Sequence, residues 1–178
     1  MIIRFNINTQ KAVETLLWII QRGETNVYNA MKILFEADKF HLNTYGRPVT
    51  GDRYVAMKHG TVPSWIYEAT KLTNSGIGFV KVDAHTLALA SGRTANLDLL
   101  SESDVIALEH GFKVYAGKDF GYVKRLNHQE KAWIEAVKRC GEGDPEQFEG
   151  AADIWFEDMI DEQWLIEDLQ DIGHCLGI

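Results

Sequence analysis

The sequence predicts a single helix-rich α+β domain with a small antiparallel sheet that includes a β-hairpin, followed by an acidic amphipathic C-terminal helix. Three observations carry this. Apolar residues recur at three- and four-residue spacing along most of the 178 positions, the period of helices buried along one face. Between residues 53 and 90, two segments instead alternate or cluster apolar residues between turn formers, as strands do. The composition, 46% hydrophobic and 25% charged, is that of one globular core.

Each element follows from local chemistry. Asn8 is placed to cap a first helix carrying Val13, Leu16, Leu17 and Ile20, with Gly23 as its stop. Thr25 is expected to cap a longer second helix bearing Val27, Met31, Leu34, Phe35 and Leu42, which Gly46 ends; Pro48 then holds Arg47 extended. After the turn Thr50-Gly51-Asp52, residues 53–59 read as a short strand closed by Gly60. Pro63 suits the first turn of a third helix with Trp65, Ile66, Ala69 and Leu72, since a proline lacks only an amide that would have no helical partner there. Residues 77–90 read as a hairpin turning at Asp83-Ala84, expected to join strand 53–59 in one sheet. Ser101 and Asp104 form a capping box ahead of a helix from Glu102 to about Ala116. Residues 120–139 predict two short helices broken near Asn127, and residues 141–145 a linker. Trp155, Phe156, Met159, Ile160, Trp164, Leu169 and Ile172 then mark one amphipathic helix with an acidic outer face. The expected division is a domain at 1–140 and an acidic helical extension at 141–178, packed on or beside it.

Composition also excludes. A chain this long hides roughly 70% of its unfolded surface and needs no disulfide or metal to fold. The longest apolar run, residues 16–20, is far below the roughly 18 residues of a membrane span, and no signal-peptide pattern opens the sequence, so a cytoplasmic protein is expected. Cys140 and Cys175 read as free thiols. Net charge is −8, against non-specific nucleic-acid affinity, but the distribution is uneven: residues 141–178 hold twelve Asp and Glu and no Lys or Arg.

Asp38, His41 and Tyr45 fall on one helix face beside the Arg47-Pro48 turn, where Asp38 could fix the tautomer of an acid–base histidine, with His59 as a further member. A hydrogen-bonded network fastening helix to turn is favoured over that reading, because no nucleophile accompanies the pair. The six histidines are scattered without metal-ligand spacing, and no phosphate loop or nucleophile elbow occurs, so neither metal, cofactor nor catalytic residue is expected. Lys124, Arg125, Lys131, Lys138 and Arg139 with Tyr122 and Trp133 read as a solvated helix face rather than a nucleic-acid surface. The acidic segment either docks onto the body through Trp155, Phe156, Met159 and Trp164 or binds a basic partner through Trp155, Asp158, Asp161 and Trp164.

Tyr45-Gly46-Arg47-Pro48, followed by Asp52-Arg53-Tyr54-Val55-Ala56-Met57-Lys58-His59-Gly60 and Val62-Pro63-Ser64, resembles the SocA-like antitoxin domain, also called Panacea. Thr61 stands where that family usually has proline. Ser101 to Asp104 looks like its second capped helix, and Asn127-His128 before Ala132-Trp133 is similar to a Ser-His element ahead of Ala-Trp, with Asn127 expected to cap as serine would. The likeness covers roughly residues 10–137. It implies a non-enzymatic antitoxin of a bacterial or phage toxin–antitoxin pair, which binds a toxin encoded by an adjacent gene; a homo-oligomer is compatible with it. The family-signature residues taken as partner contacts or scaffold are Asp38, His41, Tyr45, Gly46, Arg47, Pro48, Asp52, Tyr54, Met57, Lys58, Gly60, Val62 and Pro63. Two alternatives remain: an enzyme centred on Asp38 and His41, and a mobile-element accessory protein whose acidic segment mimics nucleic acid.

Overall fold

In the computed structural model, which describes residues 2–72, 77–141 and 147–176, the chain is a helix-rich α+β domain with small antiparallel sheets. Its axis is helix α2 (Val27–Tyr45), whose residues Ala30, Met31, Lys32, Ile33, Leu34 and Phe35 are consecutive and all buried, so it packs on every side. Around it run α1 (Thr9–Gln21), α3 (Ser64–Lys71), α4 (Glu102–Tyr115), α5 (Phe120–Asn127) and α6 (Lys131–Arg139). Two apolar clusters result. One gathers Leu16, Leu17, Met31, Leu34, Phe79, Leu87 and Leu108. The other gathers Phe35, Leu42 and Tyr54 with Trp133, Ala136, Phe148, Ile154 and Ile160.

The predicted caps act as expected at three helices. Asn8 accepts from the Lys11 amide, and Ser101 and Asp104 close a reciprocal capping box on α4. Gly46 ends α2 in the left-handed conformation. The cap of α2 is Asn26, one residue beyond Thr25, because Thr25 is spent on a strand-like pairing: its carbonyl accepts from the Leu87 amide, and the Val27 amide donates to the His85 carbonyl. The break between α5 and α6 falls where predicted, but Asn127 does not cap α6. It is the last residue of α5, and the N-cap position of α6 is Glu130.

Strand pairing departs from expectation. Gly60 does not close a strand; it opens the next one. Strand β1 (Tyr54–Met57) turns at Lys58-His59 and returns as β2 (Gly60–Pro63), with Tyr54 opposite Pro63 and Met57 opposite Gly60. Pro63 is thus an edge-strand terminus and the N-cap of α3, which starts at Ser64. The hairpin β3 (Phe79–Lys81) and β4 (Leu87–Leu89) forms its own two-stranded sheet and does not join β1. The free edge of β1 is taken by β5 (Ala151–Ile154), giving the order β2-β1-β5.

The C-terminal segment is likewise not one helix from Trp155 to Ile172. It comprises β5, a single turn α7 (Phe156–Met159) and α8 (Gln163–Leu176). Asn43 of α2 makes the break: its amide nitrogen donates to the Met159 carbonyl at 2.7 Å and its oxygen accepts from the Asp161 amide at 2.8 Å, replacing the bonds that a continuing helix would make. Lys131 takes the Ile160 carbonyl at 2.9 Å. Of the expected linker only Gly141 is described, and the Cys175 side chain lies outside the described residues; Cys140 is an exposed free thiol.

Candidate functional site

Asp38 and His41 are the centres of two buried polar hubs that bind the Arg47–Asp52 turn to the helices. Asp38, fully buried, accepts from the Thr50 amide at 2.8 Å with one oxygen and from the Thr50 hydroxyl at 2.5 Å with the other. Tyr54 reaches the second oxygen at 3.0 Å and the Leu34 carbonyl at 3.1 Å. The phenol has one proton for two acceptors, a shortage that disappears when Asp38 is itself protonated. Burial pushes the Asp38 carboxyl up to about 6, against the hydrogen bonds from Thr50 and Tyr54 that favour its ionised form.

His41 does not meet Asp38. Its Nδ1 donates to the Arg47 carbonyl at 2.6 Å, which leaves Nε2 to accept from the Ser103 hydroxyl at 3.0 Å, with Asp104 at 3.4 Å. Burial holds the imidazole below its ordinary pKa. Asp104 also binds Lys11 at 2.5 Å and Arg47 at 3.5 Å. Burial raises its carboxyl, but Lys11 and Ser101 outweigh this and bring it below the ordinary value. The hydrogen-bond partner of Nε2 therefore comes from the first turn of α4, which no spacing within α2 could reveal. Asp52 accepts from the Trp65 and Ile66 amides, both at 3.0 Å, and so caps α3, whose own N-cap Pro63 has no side chain to do it. Among these residues Tyr45 and Arg47 keep about half of their side-chain surface.

The β1–β2 corner is pinned from behind by Asn127. Its side chain accepts from the Thr61 amide at 2.6 Å and donates to the Thr61 hydroxyl at 3.1 Å. Gly60 lies against that oxygen with φ +104°, so a Cβ there would collide with it as well as strain the backbone. Thr61 is thus engaged through the hydroxyl that a proline would lack. Trp133, buried at 2%, donates from its indole to the Met57 carbonyl and is unavailable for stacking on a base.

In the acidic segment, several carboxylates are spent within the chain. Asp158 forms a two-oxygen pair with Arg139 at 2.9 and 2.6 Å, Asp153 pairs with Arg53 and Glu149 with Lys58. Trp155 lies under the Arg139 guanidinium at 3.9 Å and remains 41% exposed; Trp164 and Asp161 face solvent. Trp155 and Trp65 line one groove with Ile2, Arg4, Arg53 and Glu68, formed where the signature corner, the N-terminal residues 2–7 and the acidic segment meet. Ile2 and Arg4 carried no sequence signal for this role, because the groove brings the N-terminal residues against segments far along the chain.

A second, more enclosed cleft of about 720 Å³ opens between the start of α2, the β1–β2 turn, α3 and the β3–β4 hairpin. Lys32 lies at its floor, 1% exposed, with Nζ donating to the Thr61 carbonyl at 2.6 Å and seated 4.6 Å from the Tyr28 ring centre. Burial lowers this lysine to about 7. Of its lining residues, sequence reasoning had singled out only Met57, Lys58, His59 and Val62 for a site, besides core positions. Among the described residues, no group of three or more His, Cys, Asp or Glu could hold a metal ion, and no helix is long and apolar enough to cross a membrane.

Asp38, His41 and Asp52 are thus engaged in fastening the Arg47–Asp52 turn to the helices, while Met57, Lys58 and Val62 line the cleft. The family model for the antitoxin SocA-like, Panacea domain matches residues 31–134, and the chain belongs to that family. This gives it a role related to toxin–antitoxin pairing at the level of the family. No curated protein and no solved structure matches the chain.

Proposed function

We propose that this protein is an antitoxin that neutralises a cognate toxin by direct protein–protein contact, the toxin being encoded by an adjacent gene, and that it acts without catalysis. The observation that carries this reading is the fate of the signature: Asp38, His41 and Asp52 are buried and their hydrogen-bonding capacity is taken up by Thr50, Arg47, Ser103 and the start of α3. Such groups are scaffold. What the scaffold holds at the surface is the groove between Trp65 and Trp155, two half-exposed indoles flanked by Arg4, Arg53, Glu68 and Asp153. Aromatic anchors inside a rim of mixed charge suit a protein partner, since indoles supply contact energy and the charges set orientation.

The test is co-expression of this protein with the product of each neighbouring gene, following growth and copurification. Rescue from toxicity with a stable complex is the expected result. The double substitution Trp65→Ala and Trp155→Ala should abolish rescue and weaken the complex at least about 30-fold, the effect of losing roughly 2 kcal/mol from anchor residues. Two separately purified proteins that form no complex would remove the reading.

A further inference from the structure

The cleft beneath the β1–β2 turn has a charge pattern opposite to that of the protein. Lys32 from α2, Lys58 from the β1–β2 turn, Lys71 from α3, Lys81 from β3 and Lys118 from the α4–α5 connection all line it, while Glu149 is the single carboxylate among its described lining residues. Five lysines from five separate segments line this one cleft in a chain of net charge −8. Lysines on one solvated helix face would be incidental; lysines gathered around a concavity repel one another and raise the cost of folding, unless an anion sits among them. Lys58 has Glu149 at 2.6 Å and Lys71 has Glu68 at 2.5 Å. Lys32, Lys81 and Lys118 form no ion pair with a carboxylate among the described residues, and Lys32 is the most deeply buried of the five.

The walls are aromatic. Tyr28 and Phe120 stand 4.8 Å apart between ring centres, with Tyr67 across the cleft on α3. Phe120 is 51% exposed although it lies beside two other rings, His59 included. The volume of about 720 Å³ lies within the roughly 300–1,000 Å³ of small-molecule sites. An extended acidic peptide would call for a track of cations along an open surface, whereas these cations surround a compact space. We propose that the cleft is a binding site for a small phosphorylated compound with a planar ring, of the nucleotide class, its phosphates held by Lys32, Lys81 and Lys118 and its ring against Tyr28 and Phe120. The site shares no lining residue with the Trp65–Trp155 groove, and the proposal stands whether or not that groove binds a toxin.

Titration calorimetry of the full chain with ADP, GDP, adenosine and pyrophosphate tests it. ADP or GDP should bind with a dissociation constant of micromolar order and adenosine at least about tenfold more weakly, given the worth of charge-assisted hydrogen bonds. Pyrophosphate should also be weaker, for want of stacking. Lys81→Gln with Lys118→Gln should weaken ADP binding at least about tenfold at unchanged melting temperature, both residues being outside the core, and Phe120→Ala should do the same for the ring without altering pyrophosphate binding. The proposal is overturned if neither nucleotide binds at about 1 mM, a level at which even a weak site would be half filled. It is equally overturned if these substitutions leave ADP affinity intact, or if an Asp/Glu-rich peptide binds this cleft more tightly than ADP.

Discussion

Asp38 shows how a residue type that reads as chemistry can be structure. Three donors converge on its two oxygens, yet its pKa is raised to about 6 because burial outweighs them. The folded carboxyl therefore holds its proton more tightly than the unfolded one, whose pKa is near 3.8. Stability from this group is fully present below about pH 4 and is lost as pH rises through 6, a cost of about 3 kcal/mol at neutrality. His41 works the other way, since its depressed pKa makes the fold lose stability as pH falls through about 6.5. Urea denaturation across pH 4 to 7 should accordingly show Asp38→Asn gaining stability relative to wild type as pH rises. Asp38→Ala should lose about 2–4 kcal/mol at low pH, where the Thr50 amide and Thr50 hydroxyl are left without their acceptor. An Asp38→Ala protein as stable as wild type would contradict the scaffold role. The sequence placed Asp38 and His41 on one helix face but could not say that each faces a different partner, because Thr50 and Ser103 reach them only through tertiary packing.

Helices whose apolar stripes and caps are written within a dozen residues were legible; contacts that depend on absent side chains were not. The Ser101–Asp104 box, the Gly46 stop and the Asn8 cap rest on local hydrogen bonds, and the structure repeats them. Strand β5 escaped notice because Ala151-Ala152-Asp153-Ile154 is short and weak in strand propensity, and is held by β1 rather than by itself. The break before α8 escaped because its cause, Asn43, lies on another helix. Gly111 is a comparable case. It sits within α4, where glycine costs about 1 kcal/mol relative to alanine, and a Cβ there would lie 2.5 Å from the Ile33 carbonyl of α2. The missing side chain is what lets the two helices touch. Gly111→Ala should therefore destabilise despite better helix propensity, by about 1–3 kcal/mol, seen as a fall of several degrees in melting temperature, roughly 2–4 °C per kcal/mol at this size. A rise in melting temperature would show that the backbones are free to separate.

At the scale of the molecule, the family match ends at residue 134, whereas the second apolar cluster draws Phe148, Ala152, Ile154, Met159, Ile160 and Leu165 from beyond it. The five larger of these side chains, at about 1.5–3 kcal/mol each, amount to a sum comparable with the whole stability of a domain. A chain cut after residue 140 should thus lose its cooperative unfolding transition and associate through the exposed edge of β1, as measured by circular dichroism and size-exclusion chromatography. A monomeric, cooperatively melting fragment would show that residues 1–140 fold alone. For this reason the role of the acidic segment is better probed by Trp155→Ala than by deletion. The pairing of Tyr54 with Ile154 also sets a timetable. Translation at roughly 5–20 residues per second delivers β5 about 5–20 s after β1, so each nascent chain carries an unpaired strand edge on the ribosome for that interval. A chain that ends before β5 is made keeps an open sheet edge, which a chaperone, a protease or another copy can seize.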